Sequence, residues 1–263
     1  MIEDDVALAR PMTLTLGDWL AAAPFGLAMS SGFFSFYAHT GMLSALRAAG
    51  LAPAHVAGSS AGGMVAGAYA AGIEPDDLAP VLLRLRREQF WDPAPGLGLL
   101  AGRKFDALLR EVVATRDLAT TRIPVRISVF DILRRRTEVP VRGDLASVIR
   151  ASCAVPAMFQ PVWLDRRPHW DGGILDRPGI AGVPPGRLLF HHITAPAPWS
   201  REGAAVLAVP ARADMHTLAI RGLPRLNPFR LEAAPGAFAA ARAATLRALD
   251  RPLAAVIDVD AGG

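Results

Sequence analysis

A serine-centred glycine motif between a predicted strand and a predicted helix constrains the fold more than any other segment. Gly58-Ser59-Ser60-Ala61-Gly62 has the spacing Gly-x-Ser-x-Gly. The preceding residues, 55–58, are typical of a short buried strand, and the small residues 61–71 are typical of a helix. A chain that turns this sharply from strand to helix needs glycines, here Gly58 and Gly62, on both sides of the serine. The motif therefore predicts an α/β unit with Ser60 at the edge of a sheet.

Strand and helix patterns alternate along the rest of the chain. This alternation predicts an α/β fold with a mostly parallel sheet and helices on both faces, in a single domain spanning 1–263. Residues 1–22 are expected to form a loosely attached arm. The predicted strands are 25–29, 55–58, 125–130, 136–141, 162–164, 169–170, 187–194 and 204–209. The predicted helices are 37–49, 61–71, 75–87, 105–114, 144–152 (capped by Asp144) and 237–249, and 89–103 is expected to be an apolar loop.

Composition and charge exclude several classes of protein. Hydrophobic residues make up 52% of the 263 positions, which is enough for one sizeable core. The net charge of +4 comes from arginine, since Lys104 is the only lysine. The sequence contains no zinc-finger spacing and no RNA-binding signature, so nucleic-acid binding is not expected. A single cysteine, Cys153, excludes an internal disulfide. Because the start is acidic and no segment resembles a membrane span, a cytoplasmic protein is expected.

Three segments carry residues suited to nucleophilic chemistry. Ser60 is the candidate nucleophile, and the helix after it points its N-terminal amides toward developing negative charge. Residues 30–35 form a glycine-containing turn whose backbone amides can face an oxyanion. Asp171-Gly172-Gly173 is a tight turn that holds an aspartate, which can supply the base that a serine needs. Each segment also has a purely structural interpretation, as a helix start, a βα loop and a turn.

Taken together, these segments resemble the patatin-like phospholipase family over about residues 27–180. Residues 30–43 (SSGFFSFYAHTGML) resemble its glycine-rich loop and first helix, and the Gly58–Gly62 motif matches its nucleophile elbow. Residues 150–162 (RASCAVPAMFQPV) resemble the block that precedes its aspartate, and Asp171-Gly172-Gly173 matches its Asp-Gly-Gly/Ala motif. The order and spacing of four blocks are far more specific than any one block.

The resemblance implies a three-layer patatin-like architecture and a lipid acyl hydrolase without cofactor or metal. Ser60 is then the nucleophile and Asp171 its base, with the amides of Gly32 and Phe33 in the oxyanion hole. Two positions depart from the family pattern. Ser31-Gly32-Phe33 replaces a glycine triplet, so Gly32 is expected to supply backbone freedom, and Phe33 is strained if its φ is positive. Ser35 occupies the position of a basic residue, and Asp176-Arg177-Pro178 stands where the family has Asn-x-Pro.

Other interpretations remain open from the sequence. A Ser–Asp–His triad requires one of three later histidines, His191, His192 or His216. A lipid-binding homologue that lost activity is also compatible with the altered loop. Cys153 is expected to be a buried structural cysteine. The apolar residues of 89–103 form either a lid that meets lipid or a loop packed on the body, so peripheral membrane contact is a hypothesis, and the sequence leaves the oligomeric state undetermined.

Overall fold

The computed structural model describes residues 13–113, 117–195 and 208–262. The helices are α1 (Leu16–Ala22), α2 (Phe36–Ala48), α3 (Ala61–Ala70), α4 (Pro75–Leu83), α5 (Arg103–Val112), α6 (Leu145–Ser152) and α7 (Ala234–Leu249). The strands are β1 (Gly26–Met29), β2 (His55–Ser59), β3 (Gly98–Leu100), β4 (Val125–Asp131), β5 (Arg136–Glu138), β6 (Ala157–Phe159), β7 (Val162–Leu164), β8 (Arg167–Asp171), β9 (Leu188–Ile193), β10 (Met215–Arg221) and β11 (Val256–Asp260).

The central sheet is parallel over most of its width. Within the described residues its strand order is β11-β10-β9-β1-β2-β4-β8-β7, and β5 also pairs with β4. Neighbours from β11 to β4 are parallel, whereas β8, β7 and β5 join antiparallel. Strands β1 and β9 are buried along their whole length, as expected for parallel strands in the middle of a sheet. The predicted α/β fold with a mostly parallel sheet flanked by helices is confirmed.

Strands β2 and β8 run in opposite directions and end at neighbouring residues of β4. Ser59, the last residue of β2, pairs with Ser128, and Asp171, the last residue of β8, pairs with Val129. The residue after β2, Ser60, therefore lies beside the end of β8. The register of two strands on β4 thus brings together segments that are far apart in sequence.

The apolar faces of all seven helices belong to one core cluster with one face of the sheet. Leu27, Val56 and Ile127, on three adjacent strands, are fully buried in this cluster. A smaller cluster on the other face contains Ala28 and Phe190 and packs against residues 180–183. No helix in the described part of the chain is long and apolar enough to cross a membrane.

The predicted loose arm is wrong for residues 16–22. These residues form α1, in which Leu16, Trp19 and Leu20 are buried because their spacing places them on one face. A capping box between Thr15 and Asp18 fixes the start of the helix. Residues 1–12 of the predicted arm lie outside the described residues.

Several other boundaries differ from the sequence prediction. The helix predicted at 75–87 ends at Leu83, because the backbone of Arg86 is extended before a 3-10 turn at Arg87–Gln89. The apolar loop 89–103 contains β3, which pairs with β6. The strand predicted at 204–209 is wrong for residues 208 and 209, and its other residues lie outside the described residues. The strands that follow β9 are β10 and β11.

The remaining predictions of helices and hairpins hold closely. The helices expected at 37–49, 61–71 and 144–152 are α2, α3 and α6, each within one residue of the predicted ends. Asp144 caps α6, because its carboxylate accepts the amide of Ser147 at 3.0 Å. The segments expected to pair around the arginine-rich turn are β4 and β5.

Candidate active site

Ser60 lies at a sharp turn between β2 and α3. Its backbone has φ 53° and ψ −122°, a conformation that costs free energy for a residue with a side chain. The two glycines of the motif permit this turn by close approach. A Cβ at Gly58 would overlap the carbonyl group of Gly62, and a Cβ at Gly62 would overlap the carbonyl oxygen of Met29 at the end of β1. The structure therefore explains both glycines by backbone contacts.

The structure brings Ser60 into direct contact with Asp171. The Ser60 hydroxyl donates a hydrogen bond of 2.7 Å to Oδ2 of the carboxylate. The other oxygen, Oδ1, accepts the amide of Gly173 at 2.7 Å, so the Asp-Gly-Gly turn orients its own aspartate. Gly172 is required because a Cβ there would overlap the backbone oxygen of Ser128.

Burial sets the acidity of Asp171. Removal of the carboxylate from water raises its pKa from 3.8 to about 6, against the opposing effect of the hydrogen bonds from Ser60 and Gly173. The carboxylate is therefore ionised near neutral pH and is a stronger base than an exposed aspartate.

Three consecutive residues at the end of α6, Ser152-Cys153-Ala154, hold the backbones of both partners, and we refer to them as the α6 bracket. The hydroxyl of Ser152 accepts the amide of Ser60 at 2.9 Å, and the Cys153 thiol donates to the Ser60 carbonyl at 3.2 Å. The carbonyl of Ala154 accepts the amide of Asp171 at 2.9 Å. One short segment thus fixes both residues.

The role of the α6 bracket was missed by the sequence analysis. Cys153 was expected to be merely structural, and Ser152 was part of the Ala-Ser block but had no assigned contact. Burial, followed by the charge of Asp171, raises the pKa of the Cys153 thiol, so the thiol keeps the proton that it donates. The serine in that block was the only sequence signal for this contact.

The loop of residues 30–35 lies beside the elbow, but two expectations about it are wrong. The residue with positive φ is Phe34, at 56°, and not Phe33. Gly32 is outside the left-handed region, and its Cβ would overlap the Ser35 hydroxyl, so it supplies room for a side chain rather than backbone freedom. The loop is attached to the elbow by a hydrogen bond of 3.0 Å from the Ser31 hydroxyl to that of Ser59.

Arg177 contacts this loop, and Asp176 holds segments beside the site. The Asp176 carboxylate accepts the Ser128 hydroxyl at 2.5 Å and the amides of residues 179–181 at 3.0–3.2 Å. The carbonyl of Arg177 accepts the amide of Ser31 at 2.7 Å. The departure from Asn-x-Pro therefore affects packing around the site.

The described hydrogen bonds of Ser60 and Asp171 include no histidine. His191 is fully buried in β9, and its Nδ1 lies 2.8 Å from Nδ1 of His39. Burial lowers the pKa of His39 to about 3, and burial also lowers that of His191. His192 is buried on the same strand, and His216 contacts the carbonyl of Ala254 at 2.7 Å.

Ser60 lines an apolar slot. The slot encloses about 1050 Å³, including the space at its open mouth. Faces of α3, α4 and α5 form its walls, with the aromatic rings of Phe34, Phe90 and Phe105. Ser60 and Cys153 are the polar side chains among its described lining residues. The apolar lining of this space suits a hydrocarbon.

Asp131, Glu138 and His169 form a second cluster of side chains with atoms close enough to hold a metal ion. Arg167 occupies this cluster, because its guanidinium pairs with both carboxylates, at 2.8 Å in the case of Glu138. The pair with Arg167 is the main cause that lowers the pKa of Glu138 to about 2. The cluster is therefore an ion-pair network under the β4–β5 hairpin.

The sequence model of the patatin-like phospholipase family matches residues 27–183, more than half of the chain. This chain belongs to that family. It is 35% identical over 164 residues to uncharacterized NTE family proteins of Mycobacterium bovis and Mycobacterium tuberculosis. The match covers 60% of this chain and 45% of those proteins, so the chain spans less than half the length of these relatives.

Two solved structures have a similar arrangement of elements at low sequence identity. VipD from Legionella pneumophila is 16% identical with a TM-score of 0.42, covering 82% of this chain and 53% of VipD. The type III effector protein ExoU is 15% identical with a TM-score of 0.40, covering 86% of this chain and 53% of ExoU. Similarity at this level supports no statement about activity.

The raised pKa of Asp171 predicts that Asp171→Asn stabilises the folded chain at neutral pH. Because the folded pKa is above the unfolded value, this carboxyl favours folding below about pH 4, and that contribution is lost as pH rises through about 6. The ionised group then costs on the order of 3 kcal/mol, which the neutral amide removes. Urea unfolding should show a gain for Asp171→Asn at pH 8 that shrinks toward pH 4.

The matched control is Asp165→Asn, at an exposed position in the β7–β8 turn. It should leave the free energy of unfolding within about 0.5 kcal/mol of wild type at both pH values. A destabilised Asp171→Asn protein at pH 8 would contradict a costly buried charge.

Proposed function

We propose that the chain hydrolyses carboxylic esters of lipids through an acyl-enzyme on Ser60, with Asp171 as the base. The observation that carries this proposal is the 2.7 Å hydrogen bond from Ser60 to Asp171, with Ser60 among the residues that line the apolar slot. Membership of the patatin-like phospholipase family supports the same activity. The slot suits the acyl part of an ester, and the dyad suits its carbonyl.

In the first step the Ser60 oxygen attacks the carbonyl carbon while its proton passes to Oδ2 of Asp171. The tetrahedral intermediate collapses, and the leaving alcohol takes the proton from Asp171. Water then attacks the acyl-enzyme, Asp171 accepts its proton, and the carboxylic acid is released as the Ser60 hydroxyl re-forms. A base with a pKa of about 6 is ionised at pH 7 and is stronger than a free aspartate.

We also propose the backbone amides of Gly32 and Phe33 as the oxyanion hole. Both residues line the slot beside Ser60, and the Ser31–Ser59 hydrogen bond attaches their loop to the elbow. The first turn of α3 adds a positive dipole end at the same place. The described lining residues include no cation, so the site supports recognition of the acyl group more than of a phosphate head group.

Ser60→Ala should lower kcat for p-nitrophenyl butyrate by about 10⁴-fold or more, because no other hydroxyl replaces the nucleophile. A fluorescent phosphonate should label wild type and leave Ser60→Ala unlabelled. Thermal melting checks that both proteins are folded. Asp171→Asn should lose about as much activity while keeping the fold.

The control variants separate the proposed dyad from its alternatives. Ser59→Ala should keep far more activity than Ser60→Ala, because the Ser59 hydroxyl is fully buried and removing it costs only the hydrogen bond to Ser31. Single replacements of His191, His192 and His216 should also leave substantial activity, and a histidine variant as inactive as Asp171→Asn would indicate a triad. A folded wild type that binds lipid but is neither labelled nor active would be a non-catalytic homologue.

The α6 bracket predicts a kinetic effect without a binding effect. Ser152→Ala removes the acceptor of the Ser60 amide, so kcat should fall about tenfold to a hundredfold while KM changes little. Cys153→Ser keeps a donor to the Ser60 carbonyl and should retain more activity than Cys153→Ala. Ser147→Ala, the same change as Ser152→Ala but near the start of α6, should leave kcat unchanged. Equal losses in the Ser152 and Ser147 variants would make the effect one of helix stability.

We further propose that a group of exposed apolar residues contacts a lipid surface. We call these residues, Leu97, Leu99 and Phe229, the rim of the slot. In the segment 89–103, Phe90 and Leu100 are buried, whereas Leu97 is 73% and Leu99 52% exposed, so the segment is part core and part free surface. Arg87 stacks on Trp91 and Phe229, which is also 65% exposed. Exposed apolar residues beside arginine are suited to an anionic interface.

Leu97→Ser with Leu99→Ser should weaken sedimentation with anionic vesicles and lower hydrolysis of vesicle-borne ester several-fold, because the apolar contact is lost. Turnover of soluble butyrate ester should stay near wild type. The matched control is Leu133→Ser, a leucine of similar exposure in the β4–β5 turn. If Leu133→Ser weakens vesicle binding equally, the contact is not specific to the rim.

A further inference from the structure

The slot follows one face of α3 away from Ser60. Met64 and Ala68 lie one and two turns beyond the serine, and both line the slot. With a rise of about 1.5 Å per residue, the eight residues from Ser60 to Ala68 correspond to about 12 Å. Ala68 is the last residue of α3 that lines the space. Along α3 the slot therefore extends about 12 Å from the nucleophile.

Two other helices form the opposite walls with regularly spaced apolar residues. The residues of α4 and the turn after it recur at intervals of three and four, and so do those of α5. They are Leu78, Val81, Leu82 and Leu85, and Phe105, Leu108, Leu109 and Val112. In each case this spacing puts the side chains on one face. These faces line the slot, and some of their residues, such as Leu78 and Leu109, also belong to the buried core.

We propose that this slot binds a single unbranched acyl chain and that Ala68 sets the longest chain that fits. The proposal rests on the proposed function, because it places the acyl carbonyl at Ser60. An all-trans chain with carbon–carbon bonds of about 1.5 Å advances roughly 1.25 Å per carbon, so the slot holds roughly ten carbons. Ala68 lines the slot at that depth. Its side chain is a single methyl group, which leaves room for the end of the acyl chain.

The walls explain why affinity should grow with chain length and then stop. Each methylene that leaves water for an apolar site contributes about fourfold in binding. The gain should end where the chain reaches Ala68, since the chain end then meets this side chain and further carbons stay outside the apolar walls. A larger side chain at position 68 occupies the end of the slot and should move this limit toward shorter chains.

The test is a series of p-nitrophenyl esters from butyrate to myristate. In wild type, kcat/KM should rise to about the decanoate ester and then level off. In Ala68→Leu the ratio of kcat/KM for decanoate over butyrate should fall about tenfold, the equivalent of roughly two methylenes. Ala68→Val should give an intermediate ratio. Ala107→Leu, the same size change as Ala68→Leu on the exposed face of α5, should leave the ratio unchanged.

A binding measurement separates this proposal from the proposed function. In the Ser60→Ala background, straight-chain alcohols of four to twelve carbons should displace a fluorescent apolar probe with affinity that rises with length. Alcohols avoid repulsion between a fatty-acid carboxylate and Asp171. Adding Ala68→Leu should lower the length at which affinity levels off, and thermal melting of each variant checks that it is folded.

The outcomes are distinct. If esters are hydrolysed but Ala68→Leu keeps the wild-type length profile in both assays, the acyl chain lies elsewhere and this proposal is overturned. If no ester is hydrolysed but the alcohols show the length limit and its shift, the slot stands and the proposed hydrolysis fails. Equal shifts in Ala68→Leu and Ala107→Leu would also overturn the assignment of Ala68.

Discussion

Helix α3 begins against the backbone of β1, with no side chain between them. Gly62 contributes only hydrogen at the point where its α-carbon meets the carbonyl of Met29, and Gly58 faces the backbone of Gly62 in the same way. Any side chain at either position would separate the helix from the sheet. This contact forces the strained backbone of Ser60 and exposes its hydroxyl. It also brings the loop that follows Met29 next to the serine.

The second constraint is electrostatic. Asp171 carries its charge in a buried position, and the hydrogen bonds from Ser60 and Gly173 offset only part of the cost. Because burial destabilises the ionised form, the carboxylate accepts a proton more readily than an exposed aspartate, and this property suits a base. The same burial that weakens the fold at neutral pH therefore makes Asp171 better suited to the proposed role of base. Stability and chemistry are opposed at this residue.

Local signals in the sequence predicted the fold class and the positions of Ser60 and Asp171. Gly58, Gly62 and the Asp-Gly-Gly turn are local signals, and each records a backbone that leaves no room for a side chain. The α6 bracket and the apolar slot depend on how distant helices pack, and no short motif encodes that. The strands β10 and β11 were not among the predicted strands, although β11 alternates buried and exposed positions with Asp258 facing outward.

Strand β4 fixes the distance between the two strands whose ends position Ser60 and Asp171. It pairs with β2 through Ser128 in one direction and with β8 through Val129 in the other. A slip of one residue on either side would move a strand end by about 3.3 Å and turn its side chains to the opposite face. Loops elsewhere in the chain can lengthen or shorten during evolution without changing the distance from Ser60 to Asp171. A single insertion in the middle of β4 would separate Ser60 from Asp171. The length of this strand must therefore stay constant for the pair to form.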